Sequence, residues 1–187
     1  MAMGMFRFYS QDFQASLDDL AAVLRRSSIP SRIVAAHQCS ALCYIALDQK
    51  DDARQEIETA RRVSPEVEVW MQGKLAWTEA RLFVGDERLR LLMSARDALS
   101  KRPADLALVM VEIVEHALGV GRTDIANREA SKLCTLLERT GNPRVEKAIL
   151  YLTRHQARLT QEMASRIRQA VDEAQARRFS RLIRSDE

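Results

Sequence analysis

Cys39 and Cys43 stand four residues apart in the stretch "AHQCSALCY", with His37 two residues before the first cysteine. Thiolates and imidazoles are the ligands of zinc, but a structural zinc takes four of them in tetrahedral array. No CxxC or HExxH pattern supplies the remainder. At helical spacing, these cysteines read as small buried hydrophobes. Cys134 in "ASKLCTLLE" is read the same way. Glu112, Glu115 and His116 fall on one helix face, a grouping that could carry acid–base chemistry. They have no nucleophile beside them, and the chain contains no GxSxG, GxxxxGK[ST] or GxGxxG motif. His37, His116 and His155 lie on three different segments. The expectation is a protein that is not an enzyme, with no metal and no cofactor.

The elements that carry these residues are helical by composition. Hydrophobic residues make up 47% and charged residues 29% of the 187 residues, which suits a folded core and is too apolar for a disordered chain. Ala, Leu, Arg and Glu abound, and they lose little rotamer freedom in a helix. Three cysteines without framework spacing argue against an oxidised scaffold. No apolar segment of signal-peptide length precedes Ser10. The most apolar runs, 33–47 and 106–120, are shorter than the roughly 20 residues a bilayer span needs. We therefore expect a cytoplasmic protein without a membrane partner. A net charge of +3 excludes a general polyanion binder.

Four prolines, Pro30, Pro65, Pro103 and Pro143, recur at intervals of 35, 38 and 40 residues. Each follows a polar or small stretch and precedes an apolar helical pattern, so each is expected at the first position of a helix, where its missing N–H costs nothing. Ser64 and Asn142 precede two of them as expected N-caps. Breaks at "DQKDD", "VGDER" and "GVGRTD" divide the intervals. The pattern predicts helices over 10–26, 31–47, 51–63, 65–83, 87–100, 103–118, 123–139, 143–158 and 160–183, and no strands. A helix–turn–helix unit repeating at this length is the mark of a solenoid.

From Val34 as first position, Ala36, Ala41, Tyr44, Ala53, Ile57, Ala60 and Pro65 fall at positions 3, 8, 11, 20, 24, 27 and 32. This stretch resembles the tetratricopeptide (TPR) repeat. The alanines would mark close helix approach, and Tyr44 and Ile57 would fill the space between. The resemblance implies an all-α, TPR-like right-handed α-solenoid of about four helical hairpins with a C-terminal capping helix. Its units would be 30–64, 65–102, 103–142 and 143–184, after an N-terminal helix within 1–29. The longer, irregular repeats are similar to those of bacterial regulatory TPR proteins and type III secretion chaperones, which implies a chaperone or adaptor.

In that family the first helix of each unit lines a concave groove. The corresponding positions here include Gln38, Leu42 and Ile45, then Val69, Gln72, Ala76, Glu79 and Ala80, then Leu108, Val111 and Glu115. The Lys and Asn residues that hold a C-terminal carboxylate in chaperone-cofactor TPRs are replaced by Gln38 and Leu42, so the expected ligand is an apolar or amphipathic segment of a partner protein. Trp70 and Trp77, seven apart, share one helix face and are expected in the core, with a groove anchor as the alternative. The last helix is basic. From Arg144 onward, ten Arg/Lys face six Asp/Glu. Arg177, Arg178 and Arg181 are its candidates for an acidic or nucleic-acid partner, which leaves a transcription-regulatory role as the second reading. Self-association as a homodimer through a terminal helix is a third.

Overall fold

The computed structural model describes residues 10–152 and 158–184, with side chains as far as Arg177. Among the described residues the chain is helical throughout, with no strand. Nine α-helices follow one another among the described residues: α1 (Phe13–Arg26), α2 (Pro30–Ala46), α3 (Lys50–Val63), α4 (Val69–Ala80), α5 (Gly85–Ala98), α6 (Pro103–Gly119), α7 (Thr123–Thr140), α8 (Pro143–Leu152) and α9 (Gln161–Arg184). They group into two compact units, Met1–Leu99 and Ser100–Glu187. The expected continuation of the eighth helix to 158, and His155 with it, falls outside the described residues.

Three of the four prolines sit at the start of a helix as expected: Pro30, Pro103 and Pro143. Asn142 caps the last of these, its Oδ1 accepting from the Arg144 N–H at 2.9 Å. Pro65 departs from the expectation. It lies inside a single 3-10 turn, Ser64–Glu66, and α4 begins only at Val69. Val67 between them is extended, with φ −117° and ψ 165°. That conformation turns Val67 onto the core formed by Val34, Ile57, Met71 and Leu75, which a continuous helix would not allow. Ser64 is accordingly not an N-cap; its hydroxyl donates back to the Arg61 carbonyl at 2.9 Å. The first helix starts at Phe13 rather than at residue 10, because the Asp12 carboxylate accepts from the Ala15 N–H at 3.2 Å.

In the first unit, α1 packs on α2, α2 on α3, and α4 on α5. Leu20 of α1 is fully buried against Ala36 and Cys43 of α2. Ala41, Ala53 and Ala60 have no exposure and Ile57 has 3%, so the small residues of the α2–α3 hairpin lie where two helices meet. The α4–α5 hairpin meets closely at Gly73. A Cβ there would lie 2.8 Å from the Ala98 Cβ and 3.1 Å from the Leu99 Cγ.

In the second unit, α6 and α7 form a third hairpin. After it, α8 rests mainly on α6 and α9 mainly on α7. Leu133, Leu137, Ile149 and Ile167 fill the centre without exposure. Arg166 fastens α9 to α7, donating to Ser131 Oγ at 2.7 Å and Thr135 Oγ1 at 3.2 Å.

The turns after α2 and α6 use the same device. The Gln49 N–H returns to the Tyr44 carbonyl at 2.8 Å, and the Arg122 N–H to the Ala117 carbonyl at 2.7 Å. In each, the residue before takes a left-handed conformation, Asp48 at φ 57° and Gly121 at φ 76°. Both turns satisfy helix-end carbonyls and reverse the chain in about three residues. No helix among the described residues is long and apolar enough to cross a membrane.

Gly73→Ala will test the close approach of α4 and α5. In an exposed helix this change stabilises by about 1 kcal/mol. Here the forced separation should outweigh that gain and destabilise by about 1–3 kcal/mol in urea unfolding. Gly119→Ala, with nothing within 4 Å of its Cβ, serves as the control. A Gly73→Ala protein at least as stable as the parent would contradict the packing.

Candidate partner-binding site

The first-unit groove candidates sit on α2 and α4, and three of the polar ones are already engaged within the chain. Gln38 Nε2 donates to the Lys74 carbonyl at 3.3 Å and to Thr78 Oγ1 at 3.1 Å. Thr78 is itself buried and donates to the same carbonyl at 3.0 Å. Gln38 is thus a strap between α2 and α4. Gln72 Nε2 donates to the Ser64 carbonyl at 3.0 Å and supports the 3-10 turn. Glu79 forms an ion pair with Arg61 of α3.

Leu42 and Ile45 remain apolar and half-buried. Helical geometry places Leu42 between Gln38, which reaches α4, and Cys39 and Cys43, which face α1. On α4, Val69 is 63% exposed and Ala76 half-buried, while Ala80 of the expected groove has no exposure and belongs to the core. The polar groove positions are thus turned to structural use, and Leu42 and Ile45 on α2 and Val69 and Ala76 on α4 are the apolar ones left partly or largely exposed.

In the second unit the expected register is off by one for part of α6. Val111 is 6% exposed and faces the core, whereas Leu108 is 48% exposed. Helix α6 packs on both α7 and α8, so most of its circumference must be apolar. Of the expected positions on α6, Leu108 is exposed and Glu115 half-buried. On α8, Leu150 at 39% and Tyr151 at 42% exposure also face outward. Sequence reasoning did not single them out; alternation within "KAILYL" gives no sign of which side is covered.

Two clefts were not foreseen either. One, of about 250 Å³, lies between α3 and the end of α4, floored by Ile57, Leu82 and Phe83 and rimmed by Arg54, Glu58, Arg61 and Glu79. Its rim charges are paired: Arg54 with Asp51 at 2.7 Å, Glu58 with Arg62 at 2.9 Å, and Arg61 with Glu79. The other, of about 330 Å³, lies where the α7–α8 turn meets α9, lined by Arg139, Gly141, Glu146 and Arg177 among others.

Of the basic-helix candidates, Arg177 is exposed and its Nε donates to the Glu173 carbonyl at 3.3 Å. The side chains of Arg178 and Arg181 fall outside the described residues. Both tryptophans are half-buried. Trp70 packs on the core cluster with Lys74 5.5 Å above its ring, and Trp77 carries Arg81 at 5.5 Å. The Trp70 indole N–H donates to the Glu68 carboxylate.

The residues that first suggested chemistry lie apart. His37 Nδ1 meets Glu56 Oε2 at 2.6 Å, which ties α2 to α3. Cys39 is partly and Cys43 fully buried, and Cys134 is buried in α7; all are free thiols. Cys43 donates to Ser16 Oγ at 3.4 Å across to α1. Burial, aided by the neighbouring Cys43, pushes the Cys39 thiol up to about 11, and burial does the same for Cys134. Both are poor nucleophiles at neutral pH. Among the described residues, no three His, Cys, Asp or Glu side chains group as metal ligands would. Comparison with protein-family models, curated proteins and solved structures finds no match for this chain.

Two measurements bear on these assignments. In a double-mutant cycle of Gln38→Ala and Thr78→Val, the coupling should come to about 1 kcal/mol, as for a part-buried hydrogen bond. Additive losses would mean that Gln38 does not hold α4. The thiols give a pH dependence. Their folded pKa lies above the unfolded value of 9.0, so their contribution to stability is complete below pH 9 and is lost as pH rises from 9 towards 11. Cys39→Ala/Cys134→Ala should flatten the stability profile across that window. An unchanged slope would show that the buried thiols ionise as freely as in the unfolded chain.

Proposed function

We propose that the protein is a non-catalytic interaction module that binds an apolar or amphipathic segment of a partner protein through the apolar groove positions of α2 and α4. In this reading each compact unit is a stretch of TPR-like right-handed solenoid built from helical hairpins, and the role is that of a cytoplasmic chaperone or regulatory adaptor. The observation that carries it is the state of the groove positions. The polar residues there are committed to the fold, and Leu42, Ile45, Ala76 and the exposed Val69 are the side chains left to meet a ligand. Apolar positions of this kind, with Glu79 already paired to Arg61, favour an apolar segment over a phosphate or a terminal carboxylate.

The test begins with a partner recovered from native lysate in high salt and after nuclease treatment, so that nucleic-acid bridging is removed. Its affinity is then measured by calorimetry for Leu42→Arg and Val69→Glu. Both variants are first checked for unchanged helix content and melting temperature. Val69 is open to solvent, so its replacement should leave the fold intact even if Leu42→Arg disturbs it. Each should weaken binding at least tenfold, which corresponds to about 1.4 kcal/mol. A folded Val69→Glu protein that binds like the parent would overturn the assignment of these positions.

A further inference from the structure

We draw no further inference here: the strongest candidate, the cleft between α3 and the end of α4 floored by Ile57, Leu82 and Phe83, has rim charges already paired within the chain, and nothing in the structure shows what covers it.

Discussion

Close contact between helix backbones is the constraint on which the rest of this structure depends. A helix can bury its apolar stripe only if its neighbour comes within packing distance, and in the α4–α5 hairpin that distance leaves no room for a methyl group at Gly73. Ala41, Ala53 and Ala60 serve the α2–α3 hairpin in the same way, each without exposure. Small residues reduce the volume between helices, and larger ones such as Ile57, Leu75 and Leu92 then fill what remains. The aromatic content of 5% is consistent with this economy of space. Cysteine fits the same rule: Cys43 against Ser16, and Cys134 in α7, act as small apolar groups whose burial also suppresses their reactivity.

Much of the helical order was legible because the signals were local. Proline at a first helical position, the Asn142 cap, and the polar and glycine breaks between helices each act within a few residues. The turns after α2 and α6 fell where the sequence breaks lay, and Ala36, Ala41, Ala53 and Ala60, expected at close helix contacts, are buried. Pro65 shows the limit of that reasoning. Nothing local distinguishes "VSPEVEVW" from the other proline starts except the alternation of valine and glutamate. The extended turn at Val67 is decided by a distant core, to which Val67 contributes its side chain.

The candidate site was harder to read, again for a physical reason. A polar residue on an otherwise apolar helix looks the same in sequence whether it meets a ligand or a neighbouring backbone. Gln38, Gln72 and Glu79 all satisfy groups on their own chain, at separations of 36, 8 and 18 residues in sequence. Helix α6 raised a different difficulty. It is covered on two sides, so its apolar residues run nearly all round and the hydrophobic period no longer marks the outward line. Val111 and Leu108 are the same class of side chain three residues apart, and burial alone separates them.

The use of polar groups inside the scaffold has a consequence for recognition. An amide that already bonds a backbone carbonyl and a buried hydroxyl gives up both bonds when it is withdrawn. Gln38 is therefore poorly suited to reading a ligand but well suited to setting the spacing of α2 and α4. In the proposed role, specificity would come from the shape of the apolar side chains rather than from directed hydrogen bonds. Apolar contacts adapt to several side chains of similar volume, whereas a buried polar contact rejects any partner lacking its complement. In the proposed role, such positions would suit partners that vary in sequence but present the same apolar profile.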